Sequence, residues 1–272
     1  MPSDARLAAL FVHPVKSCRG IAVDAVDVLP TGLARDREWM VVDAAGRFAT
    51  QRRLPDMALV GTALRGTSLV LDVPGGDAVE VPVDHGGALR EVGVWRSRVQ
   101  AIDAGDAAAR LLSDFLGEPL RLVRFAPGQR RLSNRAWTGG LAAPNLFTDG
   151  YPLLVLSEAS RQDLSRRVGR DLVVARFRPN LLLDGVAAYA EDAASTLEAG
   201  GIVIRLAKPC TRCVMTTLDP ATAAAVDEEP LRSLQAYRHD VQLRGPVFGR
   251  NAVLARLPAA ARLQVGMPVR LS

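Results

Sequence analysis

The residues best equipped for chemistry lie in one stretch, Lys208-Pro-Cys-Thr-Arg-Cys-Val-Met-Thr-Thr-Leu-Asp-Pro220, which holds two of the three cysteines at a C-x-x-C spacing. Four kinds of chemistry use such a pair. A zinc site usually takes four ligands, and Cys18, His13, His85 and His239 never recur as a second ligand pair. A thioredoxin-like dithiol opens a helix whose N-terminus acidifies the thiol, whereas β-branched residues and Asp219-Pro220 follow here. Two small, soft side chains can also simply pack in a turn. The fourth reading is a single thiolate on a soft transition metal, with Arg212 holding an anionic partner of that metal. The residues alone leave all four open.

The elements that must position these cysteines come from both ends of the chain. Residues 201–207 read as a strand that Pro209 ends by offering no N–H to a central ladder, which places the cysteines on a turn at the strand end. Near the start, residues 6–12 and 21–28 read as strands joined by a tight, donor-rich connection at 15–20, where Lys16, Ser17 and backbone N–H groups suit a phosphate. Residues 37–43 and 47–50 form an expected hairpin with Arg35, Arg37, Arg52 and Arg53 clustered around it. Short strands continue over 58–103, then a helix over 107–116 and a strand over 120–125. The long polar loop 126–140 carries Arg130, Arg131, Arg135 and Trp137, and reads as solvated charge or as a lid. In the second half we expect a strand over 151–156, a helix over 158–168 capped by Ser157, and a strand over 173–180 with Arg176 and Arg178 on one face. A helix over 230–237, a turn over 245–251, a strand over 252–257 and a final hairpin over 261–271 complete the pattern. The fold class is therefore α+β and strand-dominated, with two β-rich parts, residues 1–125 and 126–272, meeting at a cleft.

Composition excludes several classes. At 272 residues and 49% hydrophobic content the chain can fill a sizeable core, and no run reaches the roughly 18 apolar residues of a membrane span. Met1-Pro-Ser-Asp-Ala-Arg6 lacks the charged-then-apolar order of a signal peptide, so a cytoplasmic protein is the expectation, and a reducing compartment keeps three cysteines as thiols. The net charge of +5 comes from scattered arginines with no basic run, which argues against nucleic acid and for a small anionic ligand. Of 34 basic residues only Lys16 and Lys208 are lysines, and each lies within two residues of a cysteine. His13 and His239 read as ordinary surface or core residues.

Six strings in chain order carry a resemblance: His13-Pro-Val-Lys-Ser-Cys-Arg-Gly20, Arg35-Asp-Arg-Glu-Trp39, Leu156-Ser-Glu-Ala-Ser160, Arg176-Phe-Arg-Pro-Asn180, the cysteine stretch, and Phe248-Gly-Arg-Asn251. Together they resemble the MOSC family, named after the C-terminal part of molybdenum cofactor sulfurases, and within it the branch of the mitochondrial amidoxime-reducing component and its bacterial counterparts. The resemblance covers nearly the whole chain. It implies an N-terminal β-barrel-like antiparallel domain packed on a MOSC β-barrel with a few helices, and a cleft that holds a molybdenum–pterin cofactor. Cys213 resembles the family's molybdenum-ligating, catalytic cysteine, with Cys210 its structural neighbour. Lys16, Ser17, Arg37, Arg178, Thr211 and Arg212 resemble the positions that bind the pterin and its phosphate. Asn251 occupies a further contact position, where the mitochondrial members carry tyrosine.

The implied reaction is reduction of small N-hydroxylated substrates such as amidoximes, hydroxylamines or N-hydroxylated bases. Some bacterial relatives carry a C-terminal iron–sulfur domain, whereas this sequence closes on Val265-Gly-Met-Pro-Val-Arg-Leu-Ser272. Electrons are therefore expected from an external donor protein of flavin, iron–sulfur or cytochrome type. A different class remains as the alternative: a sulfur-carrier or cofactor-handling protein bearing persulfide on Cys213. A thiol or zinc binding module without catalysis is a third reading, and it leaves the paired arginines at 176 and 178 unexplained.

Overall fold

The computed structural model describes residues 5–272. The reading of Met1-Pro-Ser-Asp as free of a leader lies outside the described residues. Strands dominate and helices are few, as expected for an α+β chain. Among the described residues no helix is long and apolar enough to cross a membrane.

The largest sheet runs in the order Arg270–Leu271, Thr196–Ala199, Ile202–Thr211, Gly245–Arg256, Leu153–Ser157, Leu181–Asp184, Arg6–Val12, Ile21–Val23. Its one parallel pairing joins Leu153–Ser157 to Leu181–Asp184. That pairing needs a crossover, and the helix Glu158–Val168 supplies it, started by the Ser157 hydroxyl accepting from the Ser160 N–H. The first two strands of the chain thus sit in a sheet otherwise built from the second half, with Leu7 and Leu10 buried against Leu153, Leu181 and Ile204. Residues 39–125 form a separate four-stranded sheet, ordered Trp39–Asp43, Leu120–Phe125, Ser97–Asp103, Leu89–Val94, and a three-stranded one, Gly61–Arg65, Ser68–Asp72, Val79–Pro82. The helix Asp106–Leu116 closes their core, burying Ala108 and Leu112 against Trp39, Met57 and Leu71.

Several expected elements differ. The 173–180 segment is not a strand: Val174–Arg176 is a 3-10 turn, and Arg178 takes a positive φ of 53° before Pro179. Arg176 is held by the carbonyls of Thr217 and Leu218 at 3.0 and 2.8 Å, so side-chain bonds replace the ladder that the alternation suggested. Residues 245–251 are not a turn but the first half of the twelve-residue strand Gly245–Arg256. Gly249, at φ 72°, supplies the bend: a Cβ there would lie 2.8 Å from the Val155 carbonyl oxygen. The strand before the cysteines runs through Pro209 to Thr211, with register shifts either side of the proline. The proline is tolerated because Thr196–Ala199 pairs only as far as Arg205, which leaves Pro209 on a one-sided ladder. The stretch 21–28 is split at Asp24, whose carbonyl accepts the Val265 N–H. The final hairpin is absent because Arg262–Gln264 pairs with Ala25–Leu29 while Arg270–Leu271 pairs with Thr196–Ala199.

Candidate active site

The end of one strand at Thr211 and the start of another at Leu153 and Leu154, together with the 15–20 connection and the Arg178 turn, converge on one cleft of about 280 Å³. Its walls include Lys16, Ser17, Arg37, Arg178, Thr211, Arg212, Cys213 and Asn251. Residues more than 230 positions apart in sequence are thus gathered at one opening, which also admits Cys210 and Lys208.

Cys213 stands two residues beyond the strand end at Thr211. Its backbone is extended, at φ −136° and ψ 177°, and its carbonyl accepts both the Thr216 N–H and the Thr216 hydroxyl at 3.0 Å. The half-buried sulfur receives one side-chain donor, Arg52 Nη2, at 3.3 Å. Cys210 lies within the strand three residues earlier, where burial raises its thiol pKa. Cys18 is fully buried in the first-half core, and desolvation pushes its thiol up to about 12. Among the described residues, no group of three or more His, Cys, Asp or Glu side chains converges as a metal-binding cluster.

Arg212 is fixed by its neighbours. Its backbone N–H donates to Pro246 O at 2.8 Å, Nε to Phe248 O at 2.8 Å and Nη1 to Phe177 O at 2.9 Å. Nη2 is buried without a hydrogen-bond partner, a costly state for a guanidinium N–H. Arg178 donates to Cys18 O at 2.6 Å, and desolvation together with the nearby Arg37 charge lowers its pKa to about 10. The same burial, with Arg37 and Arg178 adding to it, holds His13 well below the usual imidazole value. Crowded, desolvated cations of this kind mark a place where an anion is favoured.

Other cations are already partnered by the protein. Residues 15–18 of the connection are buried, contrary to the ordinary fate of a polar tip, and Lys16 pairs with Asp149 and donates to Phe147 O at 3.0 Å. Arg37 grips the buried Asp36 carboxylate, Asn180 Oδ1 and Arg178 O. Asn180 in turn accepts the Leu154 N–H at 3.1 Å, tying the Arg178 turn to the main sheet. Asn251 reaches Pro209 O at 3.4 Å, and Ser17, with φ 67°, turns its carbonyl to Gln51 Nε2 at 2.7 Å. Lys208 stands over the Trp137 ring, 5.4 Å from its centroid. Arg131 is not a solvated lid charge: it is buried and bonded to Asn145 Oδ1, Leu146 O and Thr148 O.

Sequence reasoning passed over Asp149, Asn180, Arg52 and Trp95 as cleft residues. Asp149-Gly150 reads as any polar turn, and Trp95-Arg96 as any hairpin tip. Their roles depend on contacts between the two halves that no local pattern encodes.

Residues 4–119 match the MOSC N-terminal beta barrel domain, and residues 142–270 match the MOSC domain. The chain is 32% identical to the mitochondrial amidoxime reducing component 2 of Bos taurus and to the mitochondrial amidoxime-reducing component 1 of Mus musculus and of Homo sapiens. Each alignment covers 97% of this chain and 82% of the relative. Among solved structures, the YuaD protein of Bacillus subtilis aligns over 97% of this chain and 93% of its own, with a TM-score of 0.44 at 10% identity.

Proposed function

The chain belongs to the MOSC family, alongside the mitochondrial amidoxime-reducing components, and on that premise we propose that it is a molybdenum-cofactor-dependent reductase of N-hydroxylated compounds in which Cys213 ligates the metal. The observation that carries this reading is the convergence of an accessible sulfur with an orphaned Arg212 N–H and a desolvated Arg178 in one cleft. The donor set fits the cofactor. A soft thiolate complements a metal that also takes dithiolene sulfurs, and the forked donors of Arg178 and Arg212 suit phosphate oxygens and ring acceptors. When bound, the molybdenum–pterin group supplies the two-electron chemistry that removes oxygen from an N–OH group.

The protein's own residues do the holding. Arg212 anchors the cysteine turn to the Phe248 and Phe177 carbonyls, and Arg176 anchors the turn that follows. Lys16, Ser17 and Arg37 come from residues 1–125, while Arg178, Thr211, Arg212, Cys213 and Asn251 come from residues 126–272. In this reading both parts would hold the cofactor in the shared cleft, and Asp149 keeps the Lys16 ammonium fixed at the cleft wall. Electrons arrive from a separate donor protein, and a reducing compartment such as the cytoplasm suits the three free thiols.

The test is molybdenum and released pterin per chain in protein made with ample cofactor, for wild type, Cys213→Ser and Cys210→Ser. Near-stoichiometric metal and reduction of an aryl hydroxylamine by reduced viologen, lost in Cys213→Ser and kept in Cys210→Ser, are expected. Labile sulfur on Cys213 with no molybdenum would replace this reading with the persulfide carrier.

A further inference from the structure

The only side-chain donor to the Cys213 sulfur among the described residues is Arg52, which belongs to the other half of the chain and sits on an exposed loop. A surface arginine ordinarily samples many rotamers, and its hydrogen bonds are then worth little. This one is braced. Its guanidinium carbon lies 5.2 Å from the centroid of the Trp95 ring. The Trp95 indole N–H donates to Asp149 Oδ1 at 3.1 Å, and the ring leans on Phe48 at 5.1 Å.

Trp95 itself is unusual. It occupies the first loop position of the two-residue hairpin between Val94 and Ser97, with φ 53°. Glycine or asparagine suits that position, and a bulky aromatic there is strained by about 1–2 kcal/mol. The residue is also 47% exposed. Neither turn formation nor core packing accounts for a tryptophan at this tip. The three contacts it makes, to Arg52, Asp149 and Phe48, do.

We propose that Arg52, braced on Trp95, is a positioning residue for the Cys213 sulfur: it fixes the sulfur's orientation into the cleft and draws charge from the metal–sulfur bond, raising the reduction potential of the bound metal. This rests on the reading of Cys213 as metal ligand. Hydrogen bonds to ligating sulfurs shift potentials because they favour the more electron-rich state. The bond is also charge-assisted, which makes it stronger than a neutral one.

The experiment compares Arg52→Gln, Arg52→Lys and Trp95→Leu with wild type at matched molybdenum content, by redox titration of the metal's one-electron couple. Arg52→Gln is expected to disfavour reduction about tenfold, which is about 59 mV downward for one electron. Arg52→Lys should recover part of that shift, and Trp95→Leu should move the potential in the same direction by less. An unchanged potential in Arg52→Gln overturns the proposal while leaving the reductase reading intact. A second arm is a crystal structure of cofactor-free protein, expected to show Arg52 Nη2 within hydrogen-bond distance of Cys213 Sγ in wild type and the sulfur turned to another rotamer in Arg52→Gln. If no preparation takes up molybdenum, the metal-ligand reading fails and this arm decides alone. A displaced sulfur then sustains the positioning role, and an unmoved sulfur overturns it.

Discussion

Arg212→Lys separates what Arg212 does for the fold from what it does for a ligand. Two of the arginine's donors are spent on buried backbone, Nε on Phe248 O and Nη1 on Phe177 O, and both of those phenylalanines are fully buried. A lysine keeps the charge but offers a point donor in place of a fork, so it satisfies one of the two carbonyls. The other is left unpaired, and stability should fall by about 1–3 kcal/mol. The third donor, Nη2, has no partner in the protein, so its loss costs the fold nothing. A charged hydrogen bond from it to the cofactor contributes about 1.5–3 kcal/mol, and its absence should weaken loading by about ten- to a hundredfold. Chemical denaturation of cofactor-free protein reads the first number, and molybdenum per chain over a range of cofactor concentrations reads the second. Wild-type loading by a destabilised Arg212→Lys protein would refute the assignment of Nη2 to the ligand. Weak loading by a variant of unchanged stability would refute the anchoring of the turn.

Gly249→Ala forces a Cβ to 2.8 Å from Val155 O at φ 72° and brings it into van der Waals contact with Arg212 Nη2 at 3.5 Å. We expect about 2–4 kcal/mol of destabilisation in urea, and loading reduced along with it. Asp103 is buried, which alone would raise its pKa, yet bonds from Arg121, the Gly105 N–H and Arg90 hold it at about 2, below the ordinary 3.8. That depression stabilises the fold by about 2 kcal/mol above pH 3.8, and the contribution disappears as pH falls through about 2. Asp103→Asn should therefore be less stable than wild type at pH 7, and the gap in unfolding free energy should narrow from pH 4 to pH 2. For Arg131→Met, four carbonyl contacts around residues 145–149 are lost, so the cleft wall bearing Asp149 should exchange its amide hydrogens faster than in wild type.

What could be read in advance divides along a physical line. Local signals were legible: Ser157 as a cap and Gly169 as a stop bound a helix whose limits match expectation, because caps act within one turn. The gathering of Lys16, Arg37, Arg178 and Cys213 in one cleft was anticipated from ordered motifs, and no single segment contains the information for it. Misreadings cluster where the chain departs from the local rule because a distant partner overrides it. Residues 173–180 alternate like a strand, but the arginine at 176 finds carbonyls of the segment after Cys213, and that bond outweighs the propensity. Residues 245–251 look like punctuation, but strands on both sides supply a ladder into which one left-handed glycine fits.

These overrides fall on the residues that shape the cleft. The bend at Gly249 brings the Phe248 carbonyl to Arg212, the turn at Arg178 brings the Phe177 carbonyl to the same guanidinium, and the one-sided ladder at Pro209 leaves the chain free to turn at Cys213. Each departure from regular structure places a backbone carbonyl or frees a backbone direction that the cysteine turn needs. A sulfur held at the mouth of a sheet must sit where the ladder ends, and the groups that hold it there must come from backbone that is itself no longer pairing. Of the non-glycine residues with positive φ, Ser17, Arg37, Trp95 and Arg178 line this cleft and the left-handed Gly249 lies beside it, whereas Arg35, Tyr189, Ala223 and Arg244 do not line it. Relaxing Ser17, Arg37 or Arg178 should cost ligand binding before it costs the fold, because none of them lies in a paired strand, whereas Gly249 lies within one and its replacement costs both.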